Sequence, residues 1–67
     1  MVQYAVKKIN LEKVKDINDY WNEVQKASIK YCNGMEELKQ YCGGELHRQR
    51  HGYSGINGNI EYVVERV

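Results

Sequence analysis

The residues best suited to chemistry lie in one short segment, His47-Arg48-Gln49-Arg50-His51-Gly52-Tyr53. It contains two of the chain's three arginines, both of its histidines and a tyrosine. Arginine can hold a carboxylate or a phosphate through two parallel hydrogen bonds, and tyrosine can stack on a base. We therefore expect this segment to bind an acidic protein surface or single-stranded nucleic acid. The alternative is a solvated loop or edge strand without a partner.

Four residues between positions 32 and 51 are of the types that bind zinc: Cys32, Cys42, His47 and His51. Structural zinc sites place paired cysteines about two to four residues apart on a tight turn. Here nine residues separate the cysteines, and they include a predicted helix. This spacing argues against a zinc site, so we expect two reduced thiols and neither a metal ion nor another cofactor.

Catalysis has weaker support than binding. The two histidines could act as general bases and the two cysteines as nucleophiles, but no local motif orients any such pair. The glycines from Gly52 to Gly58 lack the Lys-Ser/Thr ending of a phosphate-binding P-loop, and turn formation explains them. A chain of 67 residues also has little room for an enclosed pocket. We expect a protein that is not an enzyme.

The composition limits the remaining classes of function. A chain of 67 residues forms one domain, residues 1–67, and its net charge of +1 creates no strong overall attraction to nucleic acid or membranes. The first residues do not read as a signal peptide, and no stretch has the length and apolarity of a membrane span. We expect a cytoplasmic protein without membrane partners.

The periodicity of apolar residues predicts the elements that position the binding segment. Residues 2–9 alternate as in a strand, and 14–31 carry an apolar stripe at helical spacing, with Trp21 buried at its centre. Asn33-Gly34 separates this long helix from a short one over 35–42, which Gly43-Gly44 should end. Residues 45–56 read as an irregular arm. A hairpin turn at Asn57-Gly58 then leads into a strand over 59–67.

Together these elements predict an α+β fold: a strand, a long helix, a short helix and a C-terminal β-hairpin, with the helices packed on one face of a small antiparallel sheet. Ile29 falls off the helical stripe, so either the helix ends before it or its side chain meets a second element. It either packs under the second helix or is exposed. The alternative architecture is a mostly helical homodimer, in which the stripe over 14–31 packs against its own copy.

The function that we expect from these patterns is non-enzymatic protein binding. Arginine and tyrosine are enriched at interface hot spots, so Arg48 and Arg50 would pair with carboxylates, Tyr53 would add apolar contact, and an exposed Ile29 could extend the patch. Small size and the lack of a cofactor motif are typical of regulatory inhibitors or accessory proteins of the kind that phages and mobile elements encode. The alternative is nucleic-acid binding through residues 47–53.

Overall fold

The computed structural model describes residues 2–67, which form an α+β fold with one five-stranded antiparallel sheet. In chain order the elements are β1 (Gln3–Asn10), a 3₁₀ turn (Leu11–Lys13), α1 (Ile17–Lys26), β2 (Ile29–Asn33), α2 (Met35–Cys42), β3 (His47–Gln49), β4 (Gly52–Asn57) and β5 (Ile60–Arg66). The strand order across the sheet is β2-β1-β5-β4-β3, and every neighbouring pair is antiparallel. Strands β2 and β3 are therefore the two edges.

The main core lies between α2 and one face of the sheet. Residues directly opposite each other on neighbouring strands share a face, and the pairing puts Tyr4 opposite Cys32 and Val6 opposite Val64. These side chains pack with α2 into a single buried cluster. Its buried members are Tyr4, Val6, Cys32, Leu38, Cys42, Tyr62 and Val64.

Helix α1 lies on the opposite face of the sheet. The Tyr20 hydroxyl donates a 2.5 Å hydrogen bond to Glu61, which pairs with Ile9 on β1. Ile9 is fully buried, yet its odd position puts it on the other face from Tyr4 and Val6. The prediction that both helices share one face is therefore wrong. The reason is that β1 buries side chains on both faces, so each face needs its own helix.

The long helix predicted over 14–31 is much shorter. Asp16 caps its start by accepting a hydrogen bond from the Asp19 amide at 2.9 Å, and its C-cap Ala27 already has extended backbone angles. Residues Ile29–Asn33 form β2 instead, because their isoleucine and tyrosine favour strands and β1 offers them a pairing partner. None of the helices in residues 2–67 is long and apolar enough to cross a membrane.

The position of Trp21 also differs from the prediction. Its side chain is 55% exposed rather than buried at the centre of a stripe. Successive residues of a helix point about 100° apart, since 3.6 residues complete a turn. Because the Tyr20 hydroxyl is bonded to the sheet, the next side chain is turned towards solvent at the helix edge.

The segment predicted as an irregular arm contains two strands, β3 and β4. Gly55 on β4 is buried, and a Cβ there would lie 2.5 Å from the carbonyl oxygen of Glu45. Glycine therefore allows the preceding segment to cross β4 closely, instead of interrupting the strand. The final hairpin turn is one residue later than predicted, at Gly58-Asn59, and of these two only Gly58 has a positive φ.

Helix α2 agrees with its predicted bounds. The Asn33 amide, just before the N-cap Gly34, donates a 3.0 Å hydrogen bond to the carboxylate of Glu37 in the first turn of the helix. Gly43 ends the helix with a φ of 66°, in the left-handed region that glycine adopts without steric cost. Both ends of α2 are thus fixed by residues close in sequence.

Candidate functional site

The predicted binding segment forms the β3–β4 hairpin at one edge of the sheet. Pairing of Gln49 with Gly52 leaves Arg50 and His51 in the turn. Gly52 is required there, because a Cβ at this position would collide with the carbonyl oxygen of Val64 on β5. The close approach of the two backbones holds the hairpin against β5.

This packing brings all three arginines of the chain to one place. Arg48 lies opposite Tyr53, and the Arg66 amide donates a 3.0 Å hydrogen bond to the carbonyl oxygen of His51. Side chains from β3, the turn and β5 thus line one small concavity of about 20 Å³. We call Arg48, Arg50, Arg66 and Tyr53 the arginine end.

The arginine end has the electrostatic character of an anion site. The described residues that line its concavity include no Asp or Glu, whereas a neighbouring concavity of about 390 Å³, which Arg50 and Tyr53 also border, carries Glu61 and Glu65. Arg48 and Arg50 are exposed, as is Arg66. Guanidinium groups stay charged at any physiological pH and present their donors in a planar fork that matches carboxylate and phosphate oxygens. A volume of about 20 Å³ holds one water-sized group, which suits a single oxygen of an anionic group.

Tyr53 connects the arginine end to the main core. Its ring meets the ring of buried Tyr4 edge-on, at 6.0 Å between centroids and an angle of 68°. It also packs against the main core and is half-buried. Tyr53 is therefore anchored by the core, and only part of its ring is open to a partner.

The two predicted histidines lie on different sides of the hairpin. His47 pairs with Ser54, which places it on the face opposite to Arg48, whereas His51 lies in the turn beside Arg66. Both side chains are exposed. The hairpin thus brings His51 close to the arginine end but directs His47 away from it.

Ile29 does not extend this patch. It begins β2, the strand at the other edge, so β1, β5 and β4 lie between it and β3. Four strand spacings of about 4.8 Å separate the two edges by roughly 19 Å. Ile29 instead lines a groove of about 320 Å³ between α1 and the sheet, together with Trp21 and Val24. The chain therefore carries two separate candidate surfaces.

The four zinc-ligand types are not brought together. Both cysteines are free and buried in the main core, while His47 and His51 are exposed on the hairpin. Within residues 2–67 no three His, Cys, Asp or Glu side chains are grouped so that they could hold a metal ion. Burial raises the pKa of both cysteine thiols, which favours the protonated, weakly nucleophilic form.

One tyrosine on the α1 face has a strongly shifted pKa. Partial burial, then the hydrogen bond to Glu61 and the charge of that carboxylate, raises the pKa of the Tyr20 hydroxyl from 10.0 to about 12. A proton held this firmly serves structure, because it ties α1 to β5 and is not released near neutral pH.

Sequence reasoning missed two contributors to these surfaces. Arg66 lies far from the hairpin in sequence, although its alternation with Tyr62 and Val64 could have placed it on their face of the sheet. Trp21 was assigned to the core. No protein-family model matches this chain, and neither a curated protein nor a solved structure matches it.

Proposed function

We propose that this chain is a non-enzymatic protein-binding module whose arginine end holds carboxylates on an acidic partner surface. The observation that carries the proposal is the convergence of Arg48, Arg50 and Arg66 on one concavity whose described lining contains no acidic residue. Hydrogen bonds between guanidinium and carboxylate groups are short, directional and stronger than neutral ones. A near-neutral protein can therefore bind an acidic surface locally.

The half-buried state of Tyr53 favours a protein partner over nucleic acid. A base-stacking platform needs an open aromatic face, whereas this ring is half-buried against the main core and contacts Tyr4. An anchored tyrosine that exposes one side still suits a protein interface, because it adds contact area with little loss of conformational entropy. The net charge of +1 also provides little long-range attraction for a polyanion.

A titration with defined peptides tests this proposal. The ¹⁵N-labelled protein is titrated with a Glu-rich peptide and with the same peptide carrying Gln at every Glu. We expect amide shifts at positions 48, 50 and 66 with the acidic peptide alone, and their loss in the triple variant Arg48→Ala, Arg50→Ala, Arg66→Ala.

The matched control removes three positive charges elsewhere. Lys13, Lys15 and Lys26 are exposed on the segment around α1, and none of them lines the concavity of the arginine end. Their triple Ala variant has the same net charge as the arginine variant and should keep the shifts. Equal loss in both variants would show that net charge alone binds the peptide, and the proposed site would be wrong.

Nucleic-acid binding is the second candidate, because three clustered arginines also match phosphates. Three phosphate contacts on a single strand predict a slope of about −2 for log affinity against log salt concentration. The arginine variant should flatten that slope, and the lysine variant should change it less. Binding to an oligonucleotide that is stronger than to the Glu-rich peptide, with this slope, would favour the second candidate over the first.

A further inference from the structure

The second surface is an exposed strip of large apolar side chains on the α1 side of the sheet. We define the apolar strip as Ile17, Trp21, Ile29 and Tyr31, which are 68%, 55%, 47% and 50% exposed, respectively. Ile17 and Trp21 lie one helical turn apart, and Ile29 and Tyr31 alternate onto the same face of β2. Trp21 and Ile29 line the same groove, so the strip is continuous.

The size of the strip calls for a partner. An aromatic side chain buries about 150–250 Å² when fully covered, so the open halves of Trp21 and Tyr31 each leave about 100 Å² for contact. A standard interface buries about 800 Å² of surface on each partner, and the strip, with its two isoleucines, supplies roughly half of that area. The rest of the groove lining adds only a modest area, so the strip predicts a small interface of moderate or weak affinity.

The charges around the groove indicate which partner fits. Its rim carries one cation, Lys7, and one anion, Glu65. In a contact with two-fold symmetry each surface meets its own copy, so the Lys7 of one chain can face the Glu65 of the other, twice. A strongly acidic or strongly basic partner would instead meet one like charge. The net charge of +1 also means that two copies repel each other only weakly.

We propose that a second copy of this chain covers the apolar strip in a two-fold contact, with Trp21 at its centre. Each copy offers a helix edge, Ile17 and Trp21, and a strip of sheet, Ile29 and Tyr31, so the two surfaces are self-complementary in kind. Arg66 pairs with Tyr4, and Arg48 with Tyr53, so the arginine end lies on the α2 side of the sheet, whereas the apolar strip lies on the α1 side. The inference is therefore independent of the proposed acidic partner.

The single tryptophan of the chain makes the contact measurable in two ways on the same sample. Sedimentation velocity follows the mass between about 1 μM and about 1 mM, a range that spans moderate to weak interfaces. Trp21 emission should move to shorter wavelength over the same concentrations at which the mass doubles. A chain that stays monomeric up to about 1 mM, or a dimer whose Trp21 emission does not move, would overturn the proposal.

Matched variants localise the interface. The double variant Ile17→Gln, Tyr31→Gln should raise the dimer dissociation constant at least about tenfold, as the loss of central apolar contacts does. Ile56 is 61% exposed on the same face but outside the strip, so Ile56→Gln should leave the dissociation constant unchanged. Circular dichroism checks that all variants are folded. Equal weakening by the two changes would place the contact elsewhere.

A charge-reversal pair distinguishes contacts between chains from contacts within one chain. Lys7→Glu alone and Glu65→Lys alone should each weaken self-association, because like charges then face each other twice. Mixing the two variants should restore it, since every facing pair in the mixed dimer is again opposite in sign. Failure of the mixture to associate better than either variant alone would refute the two-fold pairing.

Discussion

Truncation of Leu38 tests the position of the core most sharply. Its side chain is fully buried between α2 and the sheet. Leu38→Ala should cost about 2–5 kcal/mol, from the lost burial and the cavity left behind. A 67-residue domain has a free energy of unfolding of roughly 3–10 kcal/mol, so this one change removes a large share of it.

The assay is urea unfolding followed by far-ultraviolet circular dichroism, at a concentration low enough to keep the chain monomeric. With a slope near 1 kcal/mol per M, a loss of about 3 kcal/mol lowers the midpoint by roughly 3 M.

The informative comparison is Trp21→Ala. Trp21 is the larger side chain, but with 55% exposed it has less than half of its surface to lose, so we expect about 1–2 kcal/mol. If Trp21→Ala costs more than Leu38→Ala in the monomer, the core has been assigned to the wrong side of the sheet.

Three further changes test other parts of the structure. Gly55→Ala should cost about 1–3 kcal/mol in urea unfolding, because its Cβ would press on a backbone carbonyl, whereas Gly44→Ala makes an ordinary contact and should cost little. Because the pKa of Tyr20 is raised in the folded state, its contribution to stability is complete below pH 10 and falls as the pH rises from 10 towards 12. Tyr20→Phe should remove this part of the loss of stability at alkaline pH, measured as the urea unfolding midpoint at each pH. Cys32 and Cys42 should react with a thiol reagent only as fast as the chain unfolds, and rapid labelling of the native protein would contradict their burial. Addition of a chelator and a reductant should leave the unfolding midpoint unchanged.

The parts of the fold that sequence reasoning predicted correctly depend on local signals. Strand β1 follows from simple alternation, and the end of α2 follows from the glycine at position 43, whose φ of 66° is a local requirement. The final strand follows from its alternation after the turn. In each case neighbouring residues decide the conformation, so no distant partner is needed to recognise it.

Long-range pairing decided the parts that sequence reasoning missed. Ser28 and Tyr31 fit helical spacing, but Ile29 and Tyr31 also fit a period of two, and pairing with β1 selects the strand. The only sign that β1 buries both of its faces is Ile9, an apolar residue at an odd position, whereas buried Tyr4 and Val6 are at even positions. The position of Ile29 off the helical stripe is a local sign that the helix can end earlier. No residue identifies its distant partner, so the pairing of β2 with β1 and the two-sided sheet were not predictable locally.

The candidate site divides in the same way. Arg48 and Arg50 are close in sequence and were recognised as a pair by type and spacing. Arg66 joins them only because β5 pairs with β4 in a register that brings its end to the hairpin turn. The same strand order places Ile29 at the opposite edge of the sheet from β3, and the residue type of Ile29 gives no sign of this separation.

Capture of a partner from lysate tests whether the arginine end binds an acidic protein surface. The immobilised wild-type chain, the triple arginine variant and the charge-matched triple lysine variant are exposed to nuclease-treated lysate of the source organism. We expect the wild type and the lysine variant to retain the same acidic protein, and the arginine variant, folded by circular dichroism, to lose it. Retention of that protein by the arginine variant at the wild-type level would contradict the claim.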